Sequence, residues 1–193
     1  MMSSMIKLTA MLLAGQAVSA ATIPSGAVSS SLTPRAAQVC YSGETAVLTC
    51  YTAPDNTPQG VTVADVSYVA AYLRSYGKQT KAGRMFTMNA ADTPECAEWT
   101  LYTRNTVTAL AKHISPPGVN SSVLFEDIAN TIDGGASATD KQKQAALIGC
   151  LTDGGSLGVA YNTTNPAYST AAYKAAGYVP DGILIKIVNS AGA

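Results

Sequence analysis

The 193-residue sequence has little of what enzyme active sites most often use. It contains one histidine, His113, so any histidine-based catalysis would have to use that residue. The glycine pairs Gly134-Gly135 and Gly154-Gly155 lack the lysine and the spacing of a phosphate-binding loop, so we expect them to end helices. We therefore assign no catalytic residue, and no cofactor is expected.

The sequence is also poor in metal ligands. It has no Cys-x-x-Cys pair and a single histidine, which argues against a zinc site. Asp133 and Asp153 each precede a glycine pair, but neither begins the alternating series of acidic residues that a calcium loop needs. No metal site is predicted.

Charged residues are few and balanced, with 12 basic and 12 acidic side chains. Without Lys7 and Arg35, which precede the predicted mature domain, the basic residues fall to 10 against 12, a net charge of about −2. Binding to nucleic acid or to an anionic membrane surface needs a basic patch, so neither partner is expected.

No apolar stretch is long enough to cross a bilayer. The first 20 residues nevertheless have the three zones of a signal peptide. Lys7 precedes a short apolar run over 8–14, and small residues end the segment at Val18-Ser19-Ala20. Cleavage after Ala20 predicts a secreted, extracellular protein without stable membrane insertion.

A polar segment, 21–35, follows the predicted signal peptide and carries only one charge, Arg35. It ends in Leu32-Thr33-Pro34-Arg35, which resembles the Leu-x-x-Arg sites that kexin-type proteases cut in fungal secreted precursors. The segment is either a pro-segment cut after Arg35 or a linker that ends in arginine. Residues 36–193 are predicted to form a single globular extracellular domain, expected to be monomeric.

The four cysteines all lie in the predicted mature domain. An even number of cysteines in a secreted chain predicts two disulfides, and four cysteines permit three pairings. Asn120-Ser-Ser and Asn162-Thr-Thr match the N-glycosylation pattern and are expected at exposed loops or element boundaries. The cysteines are Cys40, Cys50, Cys96 and Cys150.

Hydrophobic periodicity predicts both helices and strands. The pattern lacks a regular βαβ alternation, so it favours an α+β fold: a compact sandwich of a mainly antiparallel sheet with two to four helices, stapled by disulfides. Residues 106–114 suit a strand or a helix equally well. The other strands are predicted as two within 37–51, then 84–88, 97–103, 157–161 and 182–188. The helices are predicted from Thr62 to Gly77, from Ser121 or Ser122 to Gly134, from Thr139 towards Cys150, and over 169–176.

Three tyrosines, Tyr68, Tyr72 and Tyr76, follow one another at intervals of four residues on the first predicted helix. Such a stripe could bind sugars, but it more often forms the shoulder of a core. Both interpretations stay open at this point.

Paired carboxylates are the other route to catalysis, because glycan hydrolysis needs two acids at a set separation. Glu95 and Glu98 flank Cys96 near Trp99 and could line a cleft. Glu126-Asp127 are better explained as acidic residues that favour the positive end of a helix. Ser115 lies close to His113 in sequence, but a histidine at the end of a strand is the simpler interpretation.

The signal peptide, the Leu-Thr-Pro-Arg site, the four cysteines and the small size together resemble the small secreted proteins of filamentous fungi. The stretches Cys96-Ala-Glu-Trp-Thr-Leu-Tyr102 and Phe125-Glu-Asp-Ile-Ala-Asn-Thr-Ile132 are similar to parts of the killer-toxin-like and necrosis-effector sandwich folds of that group. The resemblance implies an effector or elicitor of the plant apoplast, a virulence protein that induces cell death or immunity. It would act by recognising a host cell-surface protein or a cell-wall glycan, without catalysis. A secreted polysaccharide hydrolase and a structural protein of the cell wall that binds glycans are the alternatives.

Overall fold

The computed structural model describes residues 44–93 and 97–192. The predicted signal peptide and pro-segment lie outside these ranges. The predicted positions that also lie outside the described residues are the processing sites Ala20 and Arg35, the cysteines Cys40 and Cys96, and Glu95.

Eight strands form two sheets in the described part of the chain. The larger sheet has five strands in the order β1-β6-β8-β4-β3, and all neighbours are antiparallel. The smaller sheet has the order β2-β5-β7, with β5 and β7 parallel. The strands are β1 Thr49–Cys50, β2 Met85–Met88, β3 Glu98–Arg104, β4 Val107–His113, β5 Asn120–Leu124, β6 Gly155–Gly158, β7 Tyr178–Val179 and β8 Ile183–Asn189.

Four α-helices and two short 3₁₀ helices connect the strands of this region. The predicted α+β class, the mainly antiparallel sheet and the presence of a disulfide are confirmed. The helices are α1 Val63–Gly77, α2 Phe125–Asp133, α3 Asp140–Gln144 and α4 Ala171–Ala175, with 3₁₀ turns at Leu147–Cys150 and Pro166–Ser169.

Helix α1 begins where the sequence predicted. The Thr62 hydroxyl accepts a hydrogen bond from the backbone N–H of Asp65, which is the usual way to cap a free helix N-terminus. The sequence predicted Gly77 as the first residue after the helix, but it is the last helical residue. A Cβ at Gly77 would lie 3.0 Å from the Cβ of Phe125, so this glycine allows α1 and the start of α2 to approach closely.

The core lies between the α1–α2 pair and one face of the five-stranded sheet. The register of β4 and β8 places alternate residues of each strand on that face. Burial of such side chains contributes about 1.5–3 kcal/mol each, and this packing fixes α1 against the sheet. The fully buried residues include Val66, Val69, Leu73, Ala109, Ala111, Ile128, Ile132, Ile185 and Ile187.

One open alternative is decided and one element prediction is corrected. Of the strand and the helix that the sequence allowed for 106–114, the structure has the strand over 107–113, because β4 pairs with β3 on one side and with β8 on the other. Ser121 and Ser122 do not begin a helix but lie in β5. Both are fully buried. The Ser121 hydroxyl hydrogen bonds to His113 and the Ser122 hydroxyl to Thr87, so neither caps a helix.

Three boundaries also differ from the prediction. Of the two strands expected within 37–51, the described part contains only the short β1. Helix α3 has the predicted capping box of Thr139 and Gln142 but ends at Gln144, and a 3₁₀ turn leads on to Cys150. Strand β6 starts at Gly155, two residues earlier than expected.

Candidate functional site

The tyrosine stripe of α1 lies on the surface of the protein. Tyr68 and Tyr72 are 44% and 39% exposed, and Tyr76 is partly exposed. They occupy a helix edge that faces β3, the edge strand of the five-stranded sheet in the described chain. Tyr102 of β3 joins them, and we call these four residues the tyrosine surface.

The four rings form a continuous row. The ring centroids of Tyr72 and Tyr102 are 3.8 Å apart, and their planes differ by 19°. Tyr68 lies 6.4 Å from Tyr102, and Tyr76 lies 6.4 Å from Tyr72, again with nearly parallel planes. Contacts of this kind hold the rings in place, so the surface is preorganised rather than a set of independent side chains.

An arginine lies at each end of the tyrosine surface. The Arg104 guanidinium lies 4.4 Å from the centroid of the Tyr68 ring, and that of Arg84 lies 4.1 Å from the Tyr76 ring. Arg84 also donates a hydrogen bond of 2.7 Å to the Tyr76 hydroxyl. Neither arginine pairs with a carboxylate of residues 44–93 or 97–192. The row of rings therefore carries a positive charge at both ends.

A β-bulge in β3 brings Tyr102 to this position. Thr100 pairs with Leu110, but Tyr102 pairs with Ala109, so Leu101 is an extra residue in the strand. Strict alternation predicts Tyr102 on the face of Glu98, opposite to Trp99. The bulge instead puts Tyr102 on the same face as Trp99, towards α1. This position could not be predicted from regular alternation along the strand, because a bulge leaves no periodic signal in the sequence.

Asp65 fixes the β3–β4 hairpin against the start of α1. Its buried carboxylate accepts hydrogen bonds of 2.8 Å from Asn105 Nδ2 and from the Thr106 hydroxyl, at the turn between the two strands. The hydroxyls of Thr62 and Thr106, with Asn105, lower the pKa of Asp65 to about 2. The carboxylate is thus charged over the ordinary pH range, and the hairpin that carries Tyr102 and Arg104 is held beside Tyr68.

A cleft of about 260 Å³ adjoins the tyrosine surface. The residues that line it include Tyr72, Tyr76, Phe86, Thr100 and Phe125. Phe86 and Phe125 make an edge-to-face contact, with their ring centroids 5.7 Å apart. Exposed rings and a small adjacent hollow are the usual elements of a recognition site.

His113 lies at the end of β4 and is almost completely buried. Its Nδ1 lies 3.3 Å from the Thr93 hydroxyl, and its Nε2 lies 3.1 Å from the Ser121 hydroxyl, which lies 2.9 Å from the hydroxyl of Ser115. Ser121 is fully buried, so a substrate could not reach its oxygen. The geometry is that of a buried polar network at a strand end and offers no accessible nucleophile.

The burial of His113 predicts a loss of stability in mild acid. Burial lowers its pKa in the folded state, only partly offset by a backbone hydrogen bond at Val119, so the unfolded chain binds a proton more readily. The stability is complete above the unfolded pKa of about 6.5 and falls as the pH drops below it, by at most about 1.4 kcal/mol per pH unit. Urea denaturation between pH 8 and 5 should show this fall in the wild type and a flatter profile in His113→Gln. Parallel profiles would contradict the assignment.

Glu98 belongs to a cluster of charges on the sheet face opposite to the core. It accepts hydrogen bonds from Lys186 Nζ at 2.6 Å, while Glu44 pairs with Lys112 and, at 2.9 Å, with Lys186. The two carboxylates raise the pKa of Lys186 against the opposing effect of its burial. Glu98 is thus neutralised by lysine, and its proposed companion Glu95 lies outside the described residues.

The sequence predicted that Asp127 only complements the positive end of a helix. The structure gives it a second role. It is buried, and its Oδ2 accepts a hydrogen bond of 2.5 Å from the Tyr168 hydroxyl. Burial raises the pKa of Asp127, while hydrogen bonds from Tyr168 and from the Asn162 backbone act in the opposite direction. Glu126, on the surface, pairs with Lys78 at 3.3 Å.

The other predicted site residues are spread over the domain. Cys50 and Cys150 form a disulfide, which agrees with one of the three pairings that four cysteines permit. Asn162 is exposed, and its side-chain oxygen accepts hydrogen bonds from the backbone and hydroxyl of Thr164. Asn120 is partly exposed at the first position of β5, where its side-chain oxygen accepts from the Ala90 N–H. Glycosylation of both asparagines stays a prediction.

Two features of the described residues concern possible partners, namely a membrane and a metal ion. None of the helices over 44–93 and 97–192 is long and apolar enough to cross a membrane. Within the same residues, histidine, cysteine and acidic side chains form no group of three that could hold a metal ion.

Comparison with known proteins yields no relative. No family model matches the chain. No curated protein and no solved structure matches it either.

Proposed function

We propose that this protein is a secreted recognition protein, and that it contacts its target through the tyrosine surface. The single observation that carries the proposal is the row of four tyrosines with an arginine at each end that pairs with no carboxylate of the described residues. Tyrosine and arginine are the residue types most enriched at the energetic centres of binding interfaces. Two tyrosines as exposed as Tyr68 and Tyr72, held side by side, favour a binding role over a packing role.

Preorganisation is the physical reason why such a surface binds well. A flexible side chain loses rotamer entropy when it is fixed at an interface, at a cost of about 0.5–1.5 kcal/mol. The ring of Tyr72 is already stacked on Tyr102, and Asp65 anchors the hairpin that carries Tyr102. Much of the ordering cost is therefore met during folding.

The biological setting that we propose follows from the sequence. The predicted signal peptide sends the protein out of the cell, and the resemblance to fungal effectors suggests a target on a host or competitor cell. An effector or elicitor role in the plant apoplast needs a binding surface and no catalysis. The buried His113 and the lysine-paired Glu98 give the alternative of a hydrolase no support.

Infiltration of purified mature protein into leaf tissue tests the proposal. The wild type is expected to induce cell death or an immune response, and the double variant Tyr68→Ala/Tyr72→Ala is expected to lose most of it. Both residues are exposed, so the variant should keep its fold, which circular dichroism and the melting temperature will check. Leu151→Ala is the matched control, because Leu151 is 62% exposed and is not part of the tyrosine surface.

Two outcomes would overturn the proposal. A wild-type protein without effect in several plant species would reject the effector or elicitor role. A double variant as active as the wild type would reject the tyrosine surface as the contact.

A further inference from the structure

The tyrosine surface has the shape and charge of a site for one class of ligand. We infer that it binds a linear polysaccharide that carries carboxylates, a polyuronate, and this inference rests on the proposed function. Three features of the surface point to this ligand: its length, its two arginines and the irregular edge of β3.

The tyrosine surface is long and narrow. Tyr68, Tyr72 and Tyr76 follow one another along the axis of α1, and eight residues of helix span about 12 Å. Tyr102, from β3, lies beside the rings of Tyr68 and Tyr72. An extended chain fits such a surface better than a compact ligand does, because each ring can contact a successive unit of the chain.

The charge of the tyrosine surface favours an anionic ligand. The Arg104 guanidinium stacks on the Tyr68 ring and makes no hydrogen bond or ion pair with the described residues, so its N–H donors are available. Arg84 donates hydrogen bonds from two of its nitrogens to Tyr76 and Gln79, but both partners are uncharged and do not neutralise the guanidinium. The planar guanidinium binds a carboxylate with two parallel hydrogen bonds, and it does so while its face is stacked on an aromatic ring. A polymer with repeated carboxylates can reach both arginines at once.

The edge of β3 argues against an extended polypeptide as the ligand. A peptide that adds to a sheet edge needs a regular row of backbone donors and acceptors. The bulge between Thr100 and Tyr102 interrupts this row in the middle of β3. A polysaccharide needs no such row, because it binds through the faces of its sugar rings and through its hydroxyls and carboxylates. The cleft beside Tyr72 suits a pendant group of that kind.

Calorimetric titration of the full mature protein tests the inference with three soluble probes. They are oligomers of polygalacturonate, which is anionic, neutral glucan oligomers of the same length, and poly-glutamate, which is an anionic polypeptide. We expect polygalacturonate to bind at least about tenfold more tightly than either of the others. Raising the salt concentration should weaken this binding only in part, because contacts with the uncharged tyrosine rings are not screened.

Variants separate charge from ring contacts. Arg104→Gln should weaken polygalacturonate binding about tenfold, and Arg104→Lys should restore part of the loss. Tyr72→Ala should weaken it at least as much. The control Lys174→Gln removes an exposed positive charge from α4 and should leave the affinity unchanged.

The contrary results are distinct from one another. Equal binding of neutral glucan, without an effect of Arg104→Gln, would overturn the role of the carboxylates but leave the tyrosine surface as the recognition site. Equal or tighter binding of poly-glutamate would overturn the polysaccharide, as would the absence of binding to polygalacturonate. Failure of the proposed function itself is read separately, from the response of leaf tissue to Tyr68→Ala/Tyr72→Ala.

Discussion

Replacing Cys50 and Cys150 together by alanine is expected to lower the free energy of unfolding by about 4 kcal/mol. The two cysteines are 100 residues apart, and their bond joins β1 to the end of the 3₁₀ turn at Leu147–Cys150. A cross-link that closes a loop of this length removes about 4–5 kcal/mol of chain entropy from the unfolded state in the loop-closure model. A domain of this size is stable by only about 5–15 kcal/mol in total, so the loss should be obvious.

Guanidinium denaturation without reducing agent measures this effect. The serine variant Cys50→Ser/Cys150→Ser should behave like the alanine variant, which separates the loss of the bond from the change of side-chain polarity. If the two variants unfold within about 1 kcal/mol of the wild type, the bond does not constrain the unfolded chain as described.

The second large effect is expected from Tyr168→Phe, which removes a single buried oxygen. The Tyr168 hydroxyl donates to Asp127 Oδ2 at 2.5 Å and accepts from the Leu124 N–H at 2.9 Å. Without it, a buried carboxylate and a buried N–H both lose a partner, at a cost of about 2–4 kcal/mol together. The ring itself stays, so no cavity is made and the cost is that of the hydrogen bonds.

The pH dependence of this variant carries its own signature. Burial already raises the pKa of Asp127, and loss of the hydrogen bond from Tyr168 should raise it further in the folded state. A raised carboxyl pKa means that the folded state takes up a proton more readily than the unfolded state, so the variant regains stability relative to the wild type as the pH falls towards 4. Tyr72→Phe removes an exposed hydroxyl and should change stability by less than about 0.5 kcal/mol. A deficit in Tyr168→Phe that does not depend on pH would show that Asp127 is not its cause.

Features that depend on neighbouring residues in the chain could be predicted from the sequence. The cap of α1 at Thr62 and Asp65 is one example, because its donor and acceptor are three residues apart. The tyrosine stripe is another, since an interval of four residues places side chains along one edge of any helix. Tyr68 and Tyr72 are 44% and 39% exposed, which fits the shoulder of a core as well as a binding surface.

Features that depend on distant contacts could not be predicted. Ser121 and Ser122 suit a helix cap as well as a strand, and only burial against His113 and Thr87 decides between the two. The rest of the candidate site depends on such contacts as well. Tyr102 reaches the helix side through a bulge, and Arg84 and Arg104 come from other parts of the chain. The pairing of Cys50 with Cys150 likewise joins residues that only the fold brings together.

Tyrosine-selective nitration, read by mass spectrometry, tests most directly whether the tyrosine surface is the recognition site. The protein is nitrated free in solution and after adsorption to washed plant cell walls. The proposed contact predicts that Tyr68 and Tyr72 lose most of their reactivity on adsorption, while the partly exposed Tyr161 and Tyr178 react as in the free protein. Reaction of Tyr68 and Tyr72 at the same rate in both states, with the protein fully adsorbed, would contradict the account.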